Sequence, residues 1–155
     1  MGFDIAEFLC PEIKDVDIRS TKKNVGIFLS AYLAYRQRVG QPREPKVTAS
    51  LSLTPISSNQ VSKQAEEILI YNEEIKEKFL ELHEQFVLGF SAIEHPFKPE
   101  ISKRKKKIFY DRYILGYSVY VTAERNHVSE DLVSQESTKC IVQFAHAIGM
   151  IIAKK

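Results

Sequence analysis

Lys103-Arg104-Lys105-Lys106-Lys107 begins the stretch that decides the fold, and the rest of the pattern follows toward the C-terminus. Gly116-Tyr117-Ser118 interrupts the amphipathic segment after the basic run, and a break at His127 precedes Ser129. Glycine permits a turn, and serine is a preferred residue at a helix start. A basic helix, a short helix and a longer capped helix in this order are typical of a helix-turn-helix unit, whose last helix enters a DNA major groove.

The apolar spacing sets the expected boundaries of this unit. It predicts a first helix over about 101–115 and a second over about 118–125. Ala123 supplies the small side chain that closely crossing helices need. His127 falls at the tight turn, where a positive φ usually favours glycine. Ser129 is the expected N-cap of the last helix.

The polar side chains of this unit are the candidate DNA-binding residues. We expect the cations before the turn to position phosphates; they are Lys103, Arg104, Lys105, Lys106, Lys107 and Arg112. We expect the outward side chains of the last helix to contact base edges or phosphates; they are Ser134, Gln135, Thr138 and Lys139. Replacing Lys105, Lys106 and Lys107 by alanine is then expected to flatten the salt dependence of DNA binding.

The same spacing also fits an ordinary packing of three helices that binds no DNA. Asn126 and Glu136 occupy positions that a regular unit fills with apolar residues. Glu130 and Asp131 stabilise the helix start through its dipole, but they would repel phosphate. Spacing alone leaves both interpretations open.

Composition and charge agree with a soluble protein that meets a polyanion. The chain has 155 residues, is 44% hydrophobic and carries a net charge of +2. Residues 61–100 carry a net charge of −5 and residues 101–155 carry +5. Such segregation is typical of a nucleic-acid footprint, although a solvated helix face gives the same pattern. No apolar run is long enough to span a membrane, and the N-terminus is acidic, so we expect a cytoplasmic protein with reduced cysteines.

The preceding segments predict an all-α protein with a long central helix. An N-terminal arm and a helix from Thr21 to Val39, capped by Ser20, make up residues 1–40. Residues 41–61 hold three prolines and a strand-like alternation, and are expected to form an extended linker. A helix over about 62–93, capped by Ser62, opens the C-terminal part, residues 62–155. This helix serves either as a core scaffold or as the seam of a homodimer.

No pattern of residues indicates catalysis. The histidines His83, His95, His127 and His146 lack metal-ligand spacing, and the cysteines are far apart. Glycine is scarce and never clustered, which gives nucleotide binding no support. We therefore expect no enzyme, no metal site and no cofactor.

The chain resembles the ArpU family of phage transcriptional regulators. The residues that carry the resemblance are Thr21-Lys22-Lys23-Asn24-Val25, Val47-Thr48-Ala49-Ser50-Leu51-Ser52-Leu53, Ser58-Asn59-Gln60, Asp111-Arg112-Tyr113-Ile114 and Ser129-Glu130. The resemblance implies a C-terminal helix-turn-helix similar to region 4 of sigma factors. It also implies regulation of phage late genes through double-stranded DNA and contact with RNA polymerase. The alternative is a helical protein-interaction module, for dimerisation or polymerase docking, with little DNA binding of its own.

Overall fold

The structure is a computed structural model that describes residues 2–42 and 58–155. The predicted all-α class is confirmed, because these residues form helices, short connections and a single isolated bridge. The helices are α1 (Ile5–Phe8), α2 (Ile18–Gly40), α3 (Ser58–Ser91), α4 (Pro99–Phe109), α5 (Val119–Asn126) and α6 (Glu130–Ala147). A 3-10 turn (Ile13–Asp15) precedes α2, and a π-helical turn (Tyr110–Ile114) continues α4. No helix among the described residues is both long and apolar enough to cross a membrane.

The start of α2 differs from the expected one by three residues. The helix begins at Ile18, and Asp17 rather than Ser20 caps it. The carboxylate of Asp17 accepts hydrogen bonds from the amide of Ser20 at 3.1 Å and from its hydroxyl at 3.0 Å. These two bonds lower the pKa of Asp17, the amide bond being the larger cause. Aspartate was the stronger cap because its carboxylate accepts both bonds while the serine lies inside the first turn.

The long helix begins earlier than expected. α3 starts at Ser58, so the predicted cap Ser62 and the last residues of the predicted linker lie inside the helix. No proline or glycine occurs between residues 58 and 88, so nothing in the sequence opposes a helix start at Ser58, ahead of the predicted cap. The strand-like alternation over 47–53 lies outside the described residues.

The described residues divide into two compact units: a first unit formed by Met1–Ala31 with Glu84–Lys155, and a second unit formed by Tyr32–His83. In the second unit the rings of Tyr32, Phe79 and His83 stack at centroid distances of 5.4–5.9 Å. The hydroxyl of Tyr32 lies 2.8 Å from Nδ1 of His83. His83 therefore has a packing role in this unit.

Phe144 is the centre of the core of the first unit. Its ring lies 5.1 Å from the ring of Phe109 and about 6 Å from those of Phe28 and Phe86. A Cβ on Gly89 would approach this ring to 2.5 Å, so α3 and α6 pack closely where glycine leaves room. This core fixes α4 and α6 against α2 and α3 within the unit.

The segment before α2 is tied to the end of the chain. Val16 and Ala153 form an antiparallel bridge, and the amide of Asp17 donates to the carbonyl of Ile152 at 2.8 Å. Thr21, fully buried, accepts a hydrogen bond from the amide of Ile152 at 3.0 Å. These bonds hold the N-terminal segment beside α6.

Candidate nucleic-acid interface

A small apolar cluster holds α4, α5 and α6 together. Ile108 and Val133 are fully buried, and Ala123 is nearly so. Val119 and Val128 pack against the three of them. One residue from each helix thus meets at the centre, and the small side chain of Ala123 lies where the helices come close, as predicted.

The turn between α5 and α6 has the expected backbone. His127 adopts a left-handed conformation with φ 54° and ψ 44°, and among the described residues it is the one non-glycine with positive φ. The amide of Val128 donates to the carbonyl of Ala123 at 3.1 Å and closes the end of α5. The hydroxyl of Ser129 accepts from the amide of Leu132 at 3.1 Å and caps α6. Both predictions, the left-handed residue and the cap, are confirmed.

Asn126, a polar residue beside this turn, binds the buried carboxylate of Asp111. Asp111, 2% exposed, lies in the π-helical turn after α4. It accepts hydrogen bonds from Nδ2 of Asn126 at 3.0 Å and from Nε of Arg125 at 3.4 Å. Asn126 also donates to the carbonyl of Thr122 at 2.8 Å. Asn126 therefore joins α5 to the turn after α4 with hydrogen bonds where a regular unit uses apolar contact.

Two cations of the basic run bind inside the protein. The guanidinium of Arg104 forms an ion pair with Glu136, which is 6% exposed. The ammonium of Lys105, itself 8% exposed, donates to Oε1 of Gln143 at 2.8 Å. Lys105 is buried and bound to Gln143, so it does not reach solvent as a phosphate contact would require. The side chain of Arg104 stays 33% exposed, but Glu136 matches its charge. This ion pair also explains why position 136 carries glutamate rather than an apolar residue.

The remaining cations of the run lie further out. Lys103 and Lys107 are exposed, and Lys106 is half-buried with its ammonium 5.9 Å from the ring centroid of Phe90. Lys107 reaches the end of α5, where it donates to the carbonyl of Arg125 at 3.4 Å. Arg112, half-buried, donates to the carbonyl of Tyr117 at 2.7 Å and so closes the turn at Gly116.

The outward flank of α6 faces solvent. Ser134, Gln135 and Lys139 are exposed, as are Glu130 and Asp131 at the helix start. Thr138 is half-buried, and its hydroxyl donates to the carbonyl of Ser134 at 3.2 Å. The predicted groove-reading side chains therefore lie together on one accessible face, and no part of the described chain covers Ser134 or Gln135.

The N-terminal segment lies beside the C-terminal end of this flank. Val142, one turn beyond Thr138 and Lys139, is only 2% exposed. Residues 10–14 line a cleft of about 470 Å³ with Lys105, Lys139 and Val142. Lys14 and Lys139 therefore line the same cleft, which sequence reasoning missed because more than a hundred residues separate the two lysines.

The two cysteines have different environments. Cys140 is fully buried on the apolar side of α6, and its thiol lies 3.6 Å from the carbonyl of Lys105. Burial raises the pKa of Cys140 to about 12. Cys10 is an exposed free thiol whose pKa is also raised by desolvation. For both thiols desolvation outweighs the nearby charge of Lys105, so the raised pKa disfavours the thiolate that a reactive nucleophile needs.

The tyrosines near the basic run mostly serve packing. Tyr113 contacts the ring of Phe109 at 5.2 Å, and burial raises its pKa. Arg125 stacks over Tyr117 at 4.7 Å. Tyr120 is exposed, and its hydroxyl donates to Glu124 at 2.7 Å, which raises the pKa of Tyr120. Within the described ranges no cluster of three or more histidine, cysteine or acidic side chains could hold a metal ion.

One relative is similar over nearly the whole chain. An uncharacterized phage-related protein of Listeria innocua is 27% identical over 151 residues, which covers 97% of this chain and 99% of the relative. No family model matches the chain. No solved structure matches it either. Membership of the ArpU family and the likeness to region 4 of sigma factors therefore stay predictions.

Proposed function

We propose that this protein is a phage or prophage transcription regulator that binds double-stranded promoter DNA through α5 and α6. The observation that carries the proposal is the turn at His127, which leads into the Ser129-capped helix with an accessible polar flank. A helix-turn-helix unit needs this order of a short helix, a left-handed turn and a capped recognition helix. The similarity to a phage-related protein supports the biological setting.

Ser134 and Gln135 would face base edges, because both are exposed near the start of α6. The amide of glutamine can donate and accept on an adenine edge, and the serine hydroxyl pairs with several bases. Thr138 and Lys139 would follow one turn later and contact the backbone or the edge of the site. The N-terminal half of the helix therefore carries the proposed specificity.

The phosphate contacts would come from Lys103, Lys106 and Lys107, with Lys14 and Lys139 at the other end of the surface. Each of these lysines is exposed or half-buried. Lys105 and Arg104 instead hold α4 against α6. Arg112 would act mainly by closing the turn before α5.

The test is binding to duplexes taken from upstream of the phage genes next to this one, measured by fluorescence anisotropy. Replacing Gln135 by alanine should weaken binding to the preferred duplex about tenfold, because a good bidentate contact is worth roughly 1–3 kcal/mol. Binding to random DNA should change little. Gln85→Ala, at an exposed position of α3, is the matched control and should leave both affinities unchanged.

A second function is favoured by the exposed acids Glu130 and Asp131, which stand at the start of the proposed recognition helix. These charges would repel phosphate but suit a basic protein surface such as one on RNA polymerase. If the protein binds no duplex at physiological salt and instead retains purified polymerase, with E130K/D131K abolishing retention, the interaction module replaces the DNA-binding proposal.

A further inference from the structure

The N-terminal arm exposes far more apolar surface than a solvated segment needs. Phe3, Ile5, Phe8 and Leu9 are each more than 60% exposed. The rings of Phe3 and Phe8 stack at 5.0 Å, and Asp4 caps α1 by accepting from the amide of Ala6 at 3.0 Å. The arm is thus an ordered apolar patch that carries acidic residues.

The corner between α3 and α4 is a second apolar patch with the opposite charge. Phe97 is 87% exposed, more than any other large apolar side chain described. Prolines flank it, and it lines a cleft of about 400 Å³ in which Lys98, Lys103 and Lys106 outnumber one acid, Glu94. His95 orders the corner, since its Nδ1 accepts from the amides of Phe97 and Lys98 at 3.2 Å.

The two patches adjoin within the first unit. Phe8 of the arm and Pro96 of the corner line one shallow cleft, together with Ala92, Glu94 and His146. Pro96 also lines the cleft of Phe97. Arm and corner therefore form one continuous surface, acidic at one end and basic at the other, which we name the arm–corner surface (residues 3–9 and 96–99).

We propose that the arm–corner surface binds the same surface of a second copy of this chain. A two-fold axis places the acidic arm of one copy on the basic corner of the other and repeats the contact, which is what an isologous interface requires. Adjacent patches of opposite charge on a shared apolar floor are complementary to themselves in this arrangement.

The available area suits a small, reversible dimer. The five large apolar side chains of the surface, exposed by 61–87%, offer on the order of 600 Å² per copy. A standard interface buries about 800 Å² per partner. The contact differs from a seam along α3, because none of its side chains belongs to that helix.

The experiment is sedimentation equilibrium of the full chain over a range of concentrations. The wild type should shift from the chain mass of 17.8 kDa toward twice that mass as concentration rises. Phe97→Asp should raise the dimer dissociation constant at least tenfold, because it places a charge at the centre of the apolar contact. Deleting residues 2–9 should do the same, since these residues lie before the Val16 bridge that ties the segment to the core.

Ile27→Asp is the matched control, because Ile27 is 61% exposed on α2 and lies outside the surface. It should leave the dimer intact. A wild type that stays monomeric at all concentrations overturns the proposal, as does a dimer that Phe97→Asp and the arm deletion leave unchanged. A dimer that Ile27→Asp alone disrupts also overturns it, by locating the interface on α2.

The basic corner shares Lys103 and Lys106 with the proposed phosphate contacts, whereas Phe97 and the arm hold none of the proposed DNA contacts. Deleting residues 2–9 should weaken the dimer, yet leave the affinity of the monomeric unit for a half-site unchanged, because these residues include none of the proposed DNA contacts. A monomeric protein that binds DNA would contradict only the dimer proposal. A dimer that binds no duplex would contradict only the proposed DNA-binding function.

Discussion

The inner and outer faces of α4 carry the same type of side chain and use it differently. Lys105 on the inner face is 8% exposed and donates to Gln143 of α6. Lys107 on the outer face is exposed and donates to the carbonyl of Arg125 in the last turn of α5. Arg104 and Lys103 repeat the contrast, the arginine paired with buried Glu136 and the lysine in solvent. A run of cations is thus part core and part surface, and only the surface part can neutralise phosphates.

The largest expected effect concerns the two thiols, of which Cys140 is buried and Cys10 is exposed. In a Cys10→Ser variant, alkylation of Cys140 in the native protein should be slower than in urea by on the order of a hundredfold or more, because labelling requires local opening. The wild type should take up one label rapidly, at the exposed Cys10. Rapid labelling of both thiols would show that the inner face of α6 opens readily.

Because the pKa of Cys140 is raised, this buried thiol should make the free energy of unfolding depend on pH. Burial raises the pKa of the Cys140 thiol from its ordinary value of 9.0 to about 12. The unfolded state therefore loses its proton first, and the stability contribution is full below pH 9 and lost as the pH rises toward 12. Alkaline titration of the unfolding midpoint should show wild type losing more stability in this window than Cys140→Ala.

The next effect is the loss of the ion pair. Arg104→Ala should lower the free energy of unfolding by about 3 kcal/mol, since it leaves the carboxylate of Glu136 buried without its partner. Lys103→Ala, one residue earlier and exposed, should change it by less than about 0.5 kcal/mol. Urea denaturation measures both. Equal losses of free energy of unfolding in the two variants would contradict the distinction between the faces. The double variant R104M/E136L should recover most of the stability lost in Arg104→Ala.

The sequence predicted the helical class, the turn at His127 and the Ser129 cap because these depend on neighbouring residues. His127 and Ser129 act through backbone groups within five positions of themselves. The inner and outer faces could not be separated, because the partners of Arg104 and Lys105 come from α6, more than thirty residues later. The burial of Lys105 was therefore not predicted.

A smaller loss is expected for the second inner cation. Lys105→Met keeps the length of the side chain but removes the donor to Gln143, and should cost about 1 kcal/mol. Lys107→Ala should cost less, because its bond to the carbonyl of Arg125 lies at the surface. Thermal unfolding of the two variants compares them, and a larger loss for Lys107→Ala would reverse the assignment of the faces.

The turn that leads into the outer flank of α6 offers a stabilising change. His127→Gly should raise the free energy of unfolding by up to about 1 kcal/mol, because glycine adopts the left-handed conformation without a Cβ penalty. Gln135→Gly, in the interior of α6, should lower it by about 1 kcal/mol. A destabilised His127→Gly protein would mean that the imidazole itself supports the turn.

The measurement that tests the central claim most directly is the salt dependence of duplex binding by three proteins: wild type, K103A/K107A and K105M. Loss of the two outer lysines should reduce the slope of log affinity against log salt by roughly 2, whereas the inner variant should keep the wild-type slope. If the three slopes are equal, or if K105M alone flattens the dependence, the outer face of α4 is not the phosphate-binding surface.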